Sequence, residues 1–214
     1  HVRAALCSEA IRLTRLLLRL FPAEPEIMGL LALMLLQNAR TPARLDQDGE
    51  IILLEAQDRS LWDRSLINEG LVLIDKAIRH AQPGAYQVQA ALAAVHARAM
   101  QSEETKWDEI DRLYGLLERI NPSPVITLNR SVAVSKTKGP EAALAMIEPL
   151  AKPLNGYFHY HGVRGAYLEQ LGRAEEARCS FDLAIALANT PAEAAHIRQH
   201  IDRFQKAVET SGVR

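Results

Sequence analysis

Apolar residues return at helical spacing along nearly the whole chain, and the strict alternation of a half-buried strand is almost absent. Leu6, Ala10, Leu13, Leu17 and Leu20 define one face of a first predicted helix, which ends before Pro22. A second is predicted from Pro25 through Met28, Leu31, Leu35 and Leu36 to about Ala39. Proline suits such a start, because its missing N–H would be unpaired there. From Thr41 to Gln57 the period breaks. Pro42 and Gly49 punctuate a long loop, and Ile51-Ile52-Leu53-Leu54 reads as a short extended segment packed on the helices. Helical spacing resumes over roughly 60–80 and 86–100, on either side of Pro83-Gly84, and then over roughly 105–119, 123–136, 140–151, 158–171, 174–188 and 191–208. About ten helices on short turns imply antiparallel neighbours, hence a bundle or a solenoid.

A repeat test separates those two. Between Val163 and Ala188, Gly165, Ala177 and Ala184 are small where paired helices must approach closely, and Phe181 fills the space between them. This is the pattern of the roughly 34-residue tetratricopeptide helix-turn-helix unit. One repeat earlier stand Ser131, Ala143, Ile147 and Leu150, and one earlier still, with an insertion near Gln101 to Thr105, Ile110, Tyr114 and Leu117. A stack of helix pairs needs the same close-packing surface at each step; a bundle does not. The expected fold is therefore an all-α, tetratricopeptide-like solenoid of antiparallel helices. Residues 1–80 form a degenerate helical part containing the loop at 41–57, and 81–214 the repeats and C-terminal helix, in one continuous domain.

Composition narrows the class. The chain has 214 residues, 48% hydrophobic and 24% charged, with 25 Lys plus Arg against 26 Asp plus Glu. That content excludes disorder. The formal charge of −1 argues against direct nucleic-acid binding, which needs a basic face. No apolar stretch reaches the roughly 18 residues of a membrane span. Two cysteines, Cys7 and Cys179, make no disulfide framework and fit a reducing cytoplasm; each is expected in a helix as a small apolar residue. The chain opens on His1 without a leader pattern and reads as a piece of a longer protein.

Chemistry-bearing patterns are sparse. His196 and His200 have the i, i+4 spacing of two metal ligands but no third partner, and read as exposed histidines of the last helix. His159 and His161 open a repeat helix, and His96 sits on an alanine-rich one as a packed or partner-facing residue. Asp46, Asp48 and Glu50 resemble the start of a calcium loop with the wrong spacing to a terminal glutamate. No nucleophile–base pair, phosphate loop or zinc pattern is present, so neither an enzyme nor a cofactor or metal is expected.

Two features stand out as interaction candidates. In Glu55 to Arg64, Asp58 is expected to cap the following helix and Trp62 to anchor its start, with Arg59, Asp63 and Arg64 pairing locally. This segment reads as a polar network fixing the loop, or alternatively as a recognition surface built on Arg59, Trp62 and Asp63. Arg12, Arg15 and Arg19 form one stripe on the first helix, either solvated or receiving an acidic surface. Asn129 and Arg130 join these candidates, because Leu128, Val132 and Val134 already supply the apolar positions of their helix.

Several blocks together carry a resemblance. They are Glu9-Ala10-Ile11-Arg12-Leu13, the run Pro25 to Leu36, Ala39-Arg40-x-x-Ala43-Arg44, and Gln57-Asp58-Arg59-x-x-Trp62-Asp63. Then follow Tyr86-Gln87-x-Gln89-Ala90-Ala91, Ala94-Val95-His96-Ala97, Pro122-Ser123-Pro124-Val125, Leu128-Asn129-Arg130-x-Val132-Ala133-Val134 and Gly139-Pro140-Glu141-Ala142. In this order they resemble the C-terminal extension of bacterial extracytoplasmic-function RNA polymerase sigma factors that carry a tetratricopeptide-like domain, and the resemblance spans essentially the whole chain. It implies a role in transcription initiation, with the polymerase- and promoter-reading regions N-terminal to this piece. The extension would control sigma activity. Its implied partners are its own sigma regions, core polymerase or a regulatory protein, and promoter DNA is contacted by the parent protein only. A stand-alone tetratricopeptide scaffold or peptide receptor, and a small-molecule sensor with a ligand between helical layers, are the alternatives.

Overall fold

In a computed structural model of the chain, residues 2–47, 49 and 51–188 are described. Among them the chain is all-helical, and its one strand-like feature is an antiparallel bridge between Leu45 and Ile51. The helix expected at 191–208, with His196 and His200, lies outside the described residues, as do Asp48 and Glu50.

The helices are α1 (Val2–Leu20), α2 (Pro25–Ala39), α3 (Arg64–Ile78), α4 (Ala85–Arg98), α5 (Trp107–Ile120), α6 (Pro124–Lys138), α7 (Pro140–Ile147), α8 (Phe158–Gln170) and α9 (Ala174–Leu187). Prolines open α2, α6 and α7 as expected. Helix α7 is shorter than its apolar pattern suggests and tightens into a 3-10 turn at Glu148–Leu150, because Pro149 cannot donate to an α-helical ladder. Gly139, at φ 91°, makes the sharp α6–α7 turn in a conformation that L side chains rarely adopt.

The chain divides into two compact units, His1–Pro122 and Ser123–Arg214. The first unit extends past residue 80 to take in α4 and α5. The reason is α4: its Ala90, Ala94 and Ala97 belong to one core with Met28, Leu31, Leu35 and Leu36 of α2 and Ile67 and Ile74 of α3. Alanines let α4 lie close against α2, and Gly29 permits the tightest approach. A Cβ at Gly29 would stand 2.6 Å from the Gln87 backbone nitrogen.

The first helix presents to solvent most of the face that its leucine spacing defines. It packs through Ile11, Thr14 and Leu18, whereas the leucine stripe of Leu6, Leu13, Leu17 and Leu20 faces outward. Helix α1 carries leucine on several sides, and it is Leu18, outside that stripe, that packs on the core. The Thr14 hydroxyl is satisfied by the Ala10 carbonyl at 2.8 Å and can therefore be buried.

In the second unit, α6 pairs with α7 and α8 with α9. Gly165 faces the Phe181 ring so closely that a Cβ there would stand 2.7 Å from it. Ser131, Ala143 and Ile147, placed 34 residues before Gly165, Ala177 and Phe181, are buried as those are. The Ser131 hydroxyl bonds the Leu128 carbonyl at 2.6 Å and meets the Tyr167 hydroxyl at 2.9 Å, tying α6 to α8. Burial pushes Tyr167 up to about 12, so the phenol stays neutral as that contact requires.

Candidate functional site

The segment joining α2 to α3 carries the strongest concentration of polar chemistry in the first unit, and the structure redistributes the roles expected there. Asp58 caps only a 3-10 turn, Arg59–Leu61, by accepting from the Ser60 amide at 2.9 Å. The helix proper begins at Arg64, and its cap is Asp63, whose Oδ1 accepts from the amides of Ser65 at 2.9 Å and Leu66 at 3.1 Å. The Asp63 amide in turn bonds the Ala39 carbonyl at 3.0 Å, locking the start of α3 to the end of α2. Asp63 is thus engaged in capping.

Arg59 and Trp62 do not form an exposed recognition surface. Their relative exposures are 5% and 2%, so both belong to the interior. Arg59 does not pair with Asp63. Its Nη1 donates to the carbonyls of His96 and Ala99, each at 2.9 Å, and Nη2 donates to the Thr105 hydroxyl at 3.2 Å. A helix leaves its last carbonyls without intrahelical partners and carries partial negative charge there. Arg59 supplies what the end of α4 lacks and also holds the connection toward α5. Arg64 donates to the Arg59 carbonyl at 3.4 Å.

Two further arginines gather at the same place; the sequence reading named them within a resemblance block but not among the interaction candidates. The Cζ atoms of Arg40 and Arg59 lie 5.5 and 5.2 Å from the Trp62 ring centroid. Arg40 donates from Nε to Gln57 Oε1 at 3.2 Å, and Arg44 donates from Nη2 to the Gln37 carbonyl and Oε1 at 2.8 and 2.9 Å. These acceptors are neutral, and the indole face supplies part of the electrostatic compensation. Burial, then the charges of Arg44 and Arg59, push Arg40 down to about 10. The signal in the sequence was the i, i+4 pair Arg40 and Arg44 ahead of a lone tryptophan.

Replacing Arg59 with methionine is expected to cost about 2–4 kcal/mol, because three buried acceptors lose a charged donor at once. Lysine should recover less than half of that, since one ammonium lacks the planar fork that spans both carbonyls. Urea unfolding of the two variants tests this; equal stability of wild type and Arg59→Met contradicts it.

His96 packs edge-on against Trp107, with ring centroids 5.6 Å apart. Burial, then the charges of Arg40 and Arg59, push it down to about 4. The unfolded imidazole titrates near 6.5. Below that pH the unfolded chain therefore takes up the proton first, and stability falls between about pH 6.5 and 4, by at most about 3 kcal/mol. His96→Gln should lack this component. Its urea midpoint should drop less than that of the wild type on going from about pH 7.5 to 4.5, and parallel losses contradict the assignment.

The remaining candidates are dispersed. Arg12 is paired with Glu9 at 2.7 Å and Arg15 with Glu69 of α3 at 2.6 Å, so two of the three arginines of that stripe are engaged on the surface, and Arg19 is exposed. Asn129 is exposed and Arg130 half-buried on α6, in the second unit. His161 is buried with Nε2 2.8 Å from the Asn155 carbonyl, whereas exposed His159 lies against the Phe158 ring at 3.8 Å between centroids. Cys7 and Cys179 are exposed and free, not packed as expected. Among the described residues, no group of three or more His, Cys, Asp or Glu is arranged to hold a metal ion, and no helix is long and apolar enough to cross a membrane.

The first unit also presents apolar side chains to solvent. Leu6, Leu13, Leu16, Leu17 and Leu20 of α1, with Phe21 after it, are exposed, Leu6 at 64%, Leu20 at 74% and Phe21 at 55%. Single exposed leucines need no explanation, but five leucines and a phenylalanine on and beside one helix make an exposed apolar face. Separately, a cavity of about 360 Å³ opens between α3, α4 and α5.

An all-helical chain with an apolar outer helix face and no metal cluster among its described residues defines a class only coarsely. Residues 1–78 match the model of a family of unknown function (DUF6596). Over 203 residues the chain is 65% identical to an uncharacterized protein of Rhizobium meliloti (strain 1021), a match covering 95% of this chain and 48% of that protein. The chain thus spans about half the length of the curated relative it matches. No solved structure matches it.

Proposed function

We propose that this chain is the regulatory, protein-binding extension of an extracytoplasmic-function RNA polymerase sigma factor, built of tetratricopeptide-like helix pairs and acting in the cytoplasm without catalysis of its own. The observation that carries the reading is the outward face of α1. Leu13, Leu17 and Leu20 lie at spacings of four and three on one side of a helix whose other side is spent on α2. A face of this kind suits the apolar side of a partner helix. The ordered sequence blocks supply the identity of that partner, the sigma regions N-terminal to this piece. About half of the Rhizobium meliloti relative lies outside the match, leaving length for such regions. The near-neutral charge agrees with promoter contact being made elsewhere in the parent.

The reading has a direct genetic test. In the full-length factor, Leu13→Ser with Leu17→Ser should leave the melting temperature within a few degrees, because both side chains are exposed, yet change reporter transcription by about fivefold or more. Unchanged transcription removes the α1 face from the mechanism. A parent reading frame that encodes no sigma regions ahead of residue 1 defeats the identity itself and leaves a stand-alone scaffold.

A further inference from the structure

The cavity in the first unit has its own chemistry, separate from the reading above. Ala77 of α3 and Ala91 of α4 leave the space that larger residues would fill, Gly29 of α2 lies at the wall, and Leu113 and Leu116 of α5 form an apolar side. The volume, about 360 Å³, is within the range of small-molecule sites, roughly 300–1,000 Å³. At its rim Ala81 holds φ 53°, the left-handed region, in the turn between α3 and α4, where a residue without a long side chain leaves the opening clear.

The buried polar side chain at the wall, Gln87, is already committed. Gln87 donates both protons of its side-chain amide inside the protein, to Glu26 Oε1 at 3.1 Å and to the Gln82 carbonyl at 2.8 Å. The Glu26 carboxylate also accepts from the amides of Tyr86 at 3.0 Å and Gln87 at 3.1 Å, capping the start of α4. None of the residues lining the cavity is ionisable. A charged guest would lose its hydration and find no counter-charge, and a strongly polar one would find the buried Gln87 donors taken. A peptide helix needs a longer groove, since its anchors at i, i+3 and i+7 span about 10 Å along the axis.

We infer that this cavity is a binding site for one uncharged, predominantly apolar small molecule, held by shape and burial between α3, α4 and α5. This inference does not rest on the sigma-factor reading.

The experiment titrates the 214-residue chain with N-phenyl-1-naphthylamine, a neutral apolar fluorophore, and with its anionic counterpart 1-anilinonaphthalene-8-sulfonate. Saturable one-to-one binding of the neutral probe is expected, at least about tenfold tighter than that of the anion. Ala91→Phe, which fills the cavity, should weaken the neutral probe about tenfold or more. Leu17→Ser, on the exposed α1 face, should leave it unchanged. If circular dichroism shows Ala91→Phe unfolded, Ala77→Val provides the same comparison with a smaller side chain. Three results overturn the proposal: no saturable binding, equal affinity for both probes, or binding that is lost in Leu17→Ser and retained in the folded cavity-filling variant.

Discussion

Trp62→Ala is expected to destabilise the chain by about 3–5 kcal/mol, the cost of deleting a fully buried indole. That is a large share of the 5–15 kcal/mol that holds a typical domain together. The indole sits in the core formed by α2, α3 and α4, and both Arg40 and Arg59 rest near its ring. Its removal therefore opens a void and strips two half-desolvated cations of a compensating surface. Urea unfolding monitored by circular dichroism reads the effect directly. An effect below about 1 kcal/mol would mean that the corner is looser than its burial indicates. The consequence for function is practical. Any loss of the proposed activity seen with Trp62→Ala or Arg59→Ala reports unfolding before it reports lost contact with a proposed partner, so the exposed leucines of α1 are the cleaner probes.

Gly29→Ala is the second large effect. The added Cβ would approach the Gln87 backbone nitrogen to 2.6 Å and its Cα to 2.8 Å. Backbone cannot rotate away, so α2 and α4 must separate, with an expected cost of about 3 kcal/mol, the upper end of overpacking. Gly165→Ala meets the Phe181 ring instead, at 2.7 Å. A ring can tilt, and the cost should be nearer 1–2 kcal/mol. The ordering, Gly29→Ala worse than Gly165→Ala, is checked by comparing melting temperatures; the reverse order would place the tighter helix crossing in the second unit.

These glycines show what was legible in the sequence. Gly165 was readable because Phe181, Ala177 and Ala184 recur around it at spacings that only paired helices explain. Gly29 was not, since its obstacle is the backbone of a helix more than fifty residues away and no local pattern encodes that crossing. Helix positions followed from the apolar period and its proline and glycine breaks. Which face is buried did not, where leucine decorates several sides as on α1. The same limit applies at the Arg59 corner. Residue type marked Arg59 and Trp62 as special, but hot-spot composition and buried-clamp composition are alike. Only the carbonyls at the end of α4, brought near by tertiary folding, decide between them.

The most direct test of the account is a co-purification titration. This chain, tagged, is mixed separately with the N-terminal remainder proposed to precede it, the sigma regions, and with core RNA polymerase, alongside the Leu13→Ser, Leu17→Ser variant. The account predicts a stoichiometric complex between the wild-type chain and the N-terminal remainder, weakened about tenfold or more by the double substitution. Absence of any complex with either partner, or a complex indifferent to those leucines, would contradict it.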